Sequence, residues 1–254
     1  MRSWSRAAVT ADEIAREALV FSFQNITVVS QTDQLQQFAG CGFLEKPVLV
    51  YDLLGNTGGK HGNYYFDPRK GGNHIREIVL DGTTPIDTKP GRSFGRFPVP
   101  MDALAIHPGK FVAGISVAKS KLGVLPLLSS AVDDDKAPAA ILFGGYGSRP
   151  GLFHDLVAIA ATVDGRLLTL ESDSTSAALA GAAARVQAVD PYGNPVNAFA
   201  GSTSSVFSLK AETSSVTYLD VGVESQGYVY VLKYLGDGSA ASDYLLDIYQ
   251  PDGT

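Results

Sequence analysis

One pattern of apolar residues and turn glycines occurs twice in the second half of the chain. LVAIAATVDGRLLTLES followed by RVQAVDPYGN is similar to YLDVGVESQGYVYVLKY followed by YLLDIYQPDG. The first turn glycines, Gly165 and Gly227, are 62 residues apart (227 − 165). The second, Gly193 and Gly253, are 60 residues apart (253 − 193). A weaker copy of the first half is MDALAIHPGKFVAGISVA. Repetition at this interval predicts one repeated supersecondary unit, and the four-stranded propeller blade is a unit of this kind.

The rest of the chain also has a β-sheet pattern. From residue 18 onward, short runs rich in β-branched and aromatic residues alternate with glycine turns. No long helical segment separates two runs, as a parallel crossover would require, so we predict antiparallel sheets. Small and polar residues at Ser172–Ala184 and Leu235–Ser242 predict loops. The expected fold is therefore all-β, a propeller-like array of antiparallel blades. The blades form either a complete or an incomplete propeller.

The N-terminal segment differs from the repeats. Its TADE sequence has the spacing of a capping box and predicts a short helix over Asp12–Leu19. A strand is predicted next, over Leu19–Val29, from the run LVFSFQNITVV. We therefore expect two regions, a helix and strand segment over residues 1–46 and propeller-like repeats over 47–254.

The segment AIAATVDGRLLTLES with RVQAVDPYGNPVNAF resembles the NHL-repeat type of β-propeller blade, in which an outer strand begins with Arg and Val. Those residues are Arg185 and Val186 in this chain, whereas the second copy has Tyr244 and Leu245 instead. The resemblance covers roughly Met101–Thr254. It implies a propeller fold. Proteins of this family mostly act as binding platforms, and a minority are hydrolases or lyases.

Composition and charge exclude several classes of protein. The chain of 254 residues is 45% hydrophobic, which is enough to bury a core. Its formal net charge is −6 and its Lys and Arg residues are scattered, so we expect no nucleic acid partner. Cys41 is the single cysteine, which excludes an internal disulfide and is interpreted as a small buried residue.

No membrane partner is predicted either. Acidic residues interrupt the N-terminal segment, so it has no apolar core of a Sec-type signal. The longest apolar runs are far shorter than the roughly 20 residues that cross a bilayer. Localisation stays open between the cytoplasm and export by another route.

Three short segments resemble known binding or catalytic motifs but do not meet the requirements of those motifs. GNTGGKH resembles a phosphate loop, but Leu54 stands where the first glycine of that motif is required. His61 stands where the motif requires Ser or Thr. FGGYGSRPG has Pro150 where a dinucleotide loop needs its third glycine. Ser116 and Lys119 have the spacing of an acyl-enzyme motif but lie in a strand pattern without its companion motifs. We interpret the first two as turns and the third as coincidence.

Titratable residues do not form a recognisable site in the sequence. The four histidines, none paired at helical spacing, are His61, His74, His107 and His154. The acidic run Asp133–Asp135 lacks the alternation of a calcium loop and is interpreted as a solvated hairpin tip. Asp155 and Asp220 each precede a predicted inner strand and could line a channel mouth. We therefore assign no catalytic, cofactor-binding or metal-binding residue and no cofactor.

Tyrosines are concentrated in the last repeat. Most of these tyrosines are predicted to pack between sheets. The alternative interpretation is that those exposed at the surface form a binding platform for carbohydrate or protein. They are Tyr218, Tyr228, Tyr230, Tyr234, Tyr244 and Tyr249.

These observations favour a non-enzymatic scaffold or binding module for protein or carbohydrate. One alternative is a lactonase-like propeller hydrolase with a divalent cation in its central channel, and another is a structural component of a larger assembly. Val186 and Ile248 are predicted to be buried strand positions. The final QPDGT turn leads toward an open sheet edge, which the predicted N-terminal strand or another chain would cover. We expect a fragment or partial propeller that needs another chain, and hence self-association or marginal stability of residues 1–254 alone.

Overall fold

The structure is a computed structural model. It describes residues 51–52, 63–67, 74–81, 84–87, 91–107, 111–126, 128–210, 216–235 and 243–254. Among these residues there are strands and short 3-10 segments, such as the turn Asp134–Lys136, and every pair of named strands is antiparallel. The predicted all-β, antiparallel class is therefore confirmed. The predicted helix over Asp12–Leu19, and residues 1–46 as a whole, lie outside the described residues.

Two small sheets come first in the chain. One has the strand order β1–β2–β3–β4, with β6 also paired to β3. Its strands are β1 (Tyr51–Asp52), β2 (Asn63–Asp67), β3 (His74–Asp81), β4 (Thr84–Asp87) and β6 (Gly95–Arg96). The other sheet pairs β5 (Arg92–Ser93) with β10 (Val132–Asp133).

Three sheets follow in which each strand pairs with the next strand of the same sheet in chain order, and we call them the first, second and third meanders. The first contains β7 (Ala103–His107), β8 (Phe111–Ser116), β9 (Lys121–Pro126) and β11 (Ile141–Phe143). The second contains β12 (Leu156–Ala161), β13 (Leu167–Glu171), β14 (Arg185–Val189) and β15 (Val206–Ser208). The third contains β16 (Thr217–Val223), β17 (Val229–Tyr234) and β18 (Tyr244–Tyr249).

The sequence repeat corresponds to a backbone repeat. In the turn between β12 and β13, Gly165 N–H donates to Thr162 O at 3.1 Å, and between β16 and β17 Gly227 N–H donates to Glu224 O at 2.9 Å. Both glycines have φ of 90°, a conformation that favours glycine. The second and third meanders are therefore built alike.

The three meanders stack in chain order. β12 lies against both β7 and β16, so the first strands of consecutive meanders are adjacent. Alternate residues of each strand face the two neighbouring layers, which explains why all five residues of β13 and of β14 are buried. The apolar layer between the second and third meanders includes Val186, Ala188, Phe207, Val221, Val229 and Val231.

Two turn glycines allow the meanders to approach closely. A Cβ atom on Gly193, after β14, would overlap the ring of Phe143 in β11. A Cβ atom on Gly253, after β18, would overlap the ring of Phe207 in β15 in the same way. In both cases the turn after the third strand of one meander rests on the fourth strand of the preceding meander.

The predicted loop Ser172–Ala184 joins β13 to β14, whereas most of the predicted loop Leu235–Ser242 lies outside the described residues. No helix in the described part of the chain is long and apolar enough to cross a membrane.

Candidate functional site

The fold brings a serine, a histidine and an aspartate together near the start of the described chain. His74 begins β3, Ser93 ends β5, and Asp134 lies in the 3-10 turn after β10. His74 Nδ1 lies 2.9 Å from Ser93 Oγ and 3.7 Å from Asp134 Oδ1. These three residue types make up the nucleophile, base and orienting acid of many hydrolases.

The geometry of this group does not match that chemistry. In a serine hydrolase, the serine and the aspartate contact different nitrogens of the imidazole ring, whereas here both approach Nδ1. Ser93 is also 0% exposed, so its hydroxyl cannot reach a substrate. The group therefore connects β3, β5 and the turn after β10. Sequence reasoning could not find it, because the three residues are far apart in the chain and follow no motif.

A second polar group, which we call the Glu171 cluster, consists of His154, Glu171, Arg185 and Gln187. Glu171 ends β13 and lies directly opposite Arg185, the first residue of β14. Its Oε2 accepts hydrogen bonds from Arg185 Nη2 and from the backbone N–H of His154, both at 2.9 Å. Its Oε1 accepts from Gln187 Nε2 at 3.2 Å. The buried carboxylate is thus surrounded by donors.

The Glu171 cluster also holds the segment that leads into β12. Leu152 O accepts from Arg185 Nη2 at 2.9 Å and from Gln187 Nε2 at 3.2 Å. The N–H of Gly151 donates to Gln187 Oε1 at 2.6 Å. Arg185 therefore binds a neighbouring loop as well as the adjacent strand, which gives the Arg of the RV pair a structural role.

Burial controls the ionisation of the Glu171 cluster. Burial, together with the nearby positive charge of Arg185, lowers the pKa of His154 below its ordinary value, so this histidine is neutral at pH 7. Its Nε2 lies 3.7 Å from Glu171 Oε2, and this contact is therefore not an ion pair. Burial raises the pKa of Glu171, and the hydrogen bond from Arg185 opposes that rise.

No group in the Glu171 cluster is accessible to a substrate. His154 is 1% exposed and Glu171 is 0% exposed. The cluster is therefore a structural network inside the second meander.

The third meander replaces this network with a different ion pair. Lys233 and Asp247 occupy the positions of Glu171 and Gln187, at offsets of 62 and 60 residues. Lys233 Nζ lies 2.5 Å from Asp247 Oδ2, and Lys233 is 3% exposed. A polar pair with one buried member is thus present at the same place in the third meander, although its charges differ and Asp247 is 31% exposed.

The other acidic candidates lie in separate places. Asp133 pairs with Lys136 at 2.9 Å on the surface. The run connects β10, which pairs with β5, to β11, which pairs with β9, so the predicted hairpin tip is wrong. Asp155 immediately precedes β12, as predicted, but Asp220 lies within β16 and the expectation that it precedes that strand is wrong. A backbone irregularity between Tyr218 and Asp220 breaks the pattern there.

Among the residues that the structure describes, no group of three or more His, Cys, Asp or Glu side chains could hold a metal ion. His61, and the side chain of His107, lie outside the described residues.

The tyrosines of the last repeat are packing residues in the main. Tyr218 is buried, and the others are half-buried. Tyr249 packs against Phe207 with ring centroids 5.0 Å apart, and Tyr234 packs against Tyr244 at 4.9 Å. Exposed aliphatic side chains, rather than aromatic ones, distinguish the surface of this meander.

The two most exposed of these side chains belong to β18, while a third, Leu219, lies in β16. Leu246 is 43% exposed and Ile248 is 54% exposed. Their counterparts in the second meander, 60 residues earlier, are Val186 and Ala188, which are both 0% exposed. β15 and the third meander cover the counterparts, whereas no described strand pairs with the outer edge of β18. The prediction that Ile248 is buried is therefore wrong.

Comparison with known proteins adds no identification. No protein-family model matches the chain, and a search of curated proteins gave no significant match.

Proposed function

We propose that this chain is a non-enzymatic, protein-binding module built from propeller-like meanders, and that the outer edge of β18 is its binding surface. The open outer edge of β18 carries the proposal, because β15 pairs with the corresponding edge of β14 whereas no described strand pairs with that of β18, and Leu246 beside this edge is 43% exposed. Exposed strand edges bind extended polypeptide by adding a strand to the sheet.

The second meander provides a template for such binding. β15 pairs with β14 in antiparallel register, with Phe207 opposite Val186 and Val206 opposite Gln187. Leu246 corresponds to Val186 at an offset of 60 residues. A strand that pairs with β18 in the same register would therefore place its equivalent of Phe207 opposite Leu246. The preferred occupant is thus an extended segment with a large apolar side chain at that position, such as the Phe of β15.

The stacking of the meanders supports the propeller-like part of the proposal. Propeller blades are antiparallel meanders whose first strands lie closest together, and β7, β12 and β16 have this relationship. The NHL-type assignment at Arg185 and Val186 remains a prediction.

Two observations favour binding over catalysis. Ser93 and Glu171, which are the candidate nucleophile and the buried acid of the two polar groups, are both 0% exposed. The hydrolase alternative has no observation in its favour among the described residues. The exposed tyrosines of the described region are Tyr146, in the loop before β12, and Tyr192, in the turn after β14.

A peptide copying Ser204–Lys210, SSVFSLK, tests the proposal. A fluorescent form of the peptide is titrated against the protein, and binding is read by anisotropy and by amide exchange in β18. We expect saturable binding that slows exchange over Tyr244–Tyr249. The control peptide SSVDSLK, with Asp in place of the Phe, should bind far more weakly.

A pair of protein variants locates the binding. Leu246→Asp should abolish binding of the peptide, whereas Val163→Asp should leave it unchanged, because Val163 is 58% exposed in the turn between β12 and β13. Equal binding by both variants, or by both peptides, would overturn the proposal.

A further inference from the structure

We infer that the protein which covers β18 is a second copy of this chain, with the two β18 strands paired antiparallel across a two-fold axis. This inference rests on the proposed function, since it names the occupant of the same edge. Symmetric pairing requires a strand that is complementary to itself, and closed two-fold dimers are the commonest protein assemblies.

The side chains of β18 meet this requirement on one face. Tyr244, Leu246 and Ile248 alternate along the strand and point away from the second meander, whereas Asp247 and Tyr249 point toward it. Residues directly opposite one another in an antiparallel pair share a face. A register centred on Leu246 therefore sets Leu246 opposite Leu246, and Tyr244 opposite Ile248, so that every pair on this face is apolar.

The charge of Asp247 favours the register centred on Leu246 over the one centred on Asp247. A register centred on Asp247 would place two carboxylates directly opposite each other, and like charges in that arrangement are destabilising. In the register centred on Leu246, each Asp247 lies opposite Leu245 and keeps its ion pair with Lys233, at 2.5 Å, in its own chain. The geometry thus points to a single register.

Cross-linking tests this register directly. In a Cys41→Ser background, Leu246→Cys is expected to form a disulfide-linked dimer under mild oxidation, because opposite Cα atoms would be about 4.5–5.5 Å apart. Ile248→Cys should not, because the two residues would be separated by four positions, roughly 13 Å, which is too far for a disulfide. Val163→Cys is the control for random collision.

Each cross-linking result decides the question. A dimer with Leu246→Cys alone supports the inference. Cross-linking by Ile248→Cys but not Leu246→Cys would overturn the register, and equal cross-linking by all three variants would overturn the specific contact.

Light scattering of the unmodified chain separates this inference from the proposed function. We expect a monomer–dimer equilibrium that shifts with concentration, weakened roughly a hundredfold or more by Leu246→Asp, because two carboxylates would then lie directly opposite each other at the centre of the pair. Val163→Asp should leave the equilibrium unchanged. A monomer at all concentrations that still binds the SSVFSLK peptide would overturn the second copy and retain the binding edge. A monomer that does not bind the peptide would overturn both.

Discussion

Arg185 Nη2 donates to Glu171 Oε2 at 2.9 Å across adjacent strands, and the side chains of both residues are buried. The same guanidinium binds Leu152 O in the segment that precedes β12. One side chain therefore neutralises a buried carboxylate and fixes the loop between two meanders.

Arg185→Met should destabilise the protein by roughly 3–5 kcal/mol, because it leaves the Glu171 carboxylate buried without its cation. Chemical denaturation measures the loss. The matched control is Arg166→Met, which breaks the exposed pair with Asp164 and should cost less than about 1 kcal/mol. Equal losses in the two variants would show that the buried pair has no special role.

The stability of the protein should depend on pH through His154. Its folded pKa is lowered, so the unfolded state takes up a proton more readily, and stability is lost as the pH falls below the unfolded value of about 6.5. The raised pKa of Glu171 acts in the opposite sense, since its contribution is lost as the pH rises through the folded value. The two groups must therefore be separated by a variant.

His154→Asn separates them. The free energy of unfolding is measured by denaturant titration between pH 7 and about pH 5.5, where histidines titrate. We expect the unmodified protein to lose more stability than the variant over this interval. Parallel curves would contradict the assigned pKa direction.

Gly193→Ala should destabilise the protein by two effects that a control can separate. Gly193 has φ of 82°, and a Cβ atom there overlaps Phe143. Gly181 has a similar φ, 85°, and a Cβ atom added there would meet no other atom within 4 Å, so Gly181→Ala should cost only the backbone strain of about 1–2 kcal/mol. Gly193→Ala should cost about 1–3 kcal/mol more. Similar melting temperatures for the two variants would indicate that the turn does not rest on Phe143.

Val186→Asp and Ile248→Asp should differ in their effects. Val186 is 0% exposed, so a carboxylate there is expected to unfold the protein or make it insoluble. Ile248 is 54% exposed, and Ile248→Asp should leave the chain folded. Circular dichroism and thermal melting compare the two variants. Unfolding of Ile248→Asp would mean that β18 is covered within a single chain.

Local patterns predict much of this fold. The turn glycines Gly165 and Gly227, the loop Ser172–Ala184 and the antiparallel pairing follow from short-range chemistry that neighbouring residues determine. Alternation also separates the two faces of β18. It does not reveal which face another layer covers, and for this reason the sequence pattern gives the wrong burial for Ile248.

Long-range contacts could not be predicted. Arg185 belongs to a recognisable motif, yet its partner Glu171 and the carbonyl of Leu152 are brought to it by strand pairing and loop packing. The contact of His74 with Ser93 and Asp134 likewise joins three elements whose spacing carries no signal. Such sites depend on which strands become neighbours, and a single sequence does not determine this locally.

Amide exchange over Tyr244–Tyr249, measured across a range of protein concentrations, tests the role of the β18 edge most directly. The edge is predicted to be protected by a second chain, so exchange in β18 should slow as concentration rises, while exchange in Arg185–Val189 stays constant because β14 is already paired on both sides. The Leu246→Asp variant should show fast exchange in β18 at every concentration. Exchange in β18 that is independent of concentration in the unmodified protein, and that the SSVFSLK peptide does not slow, would contradict a binding role for this edge.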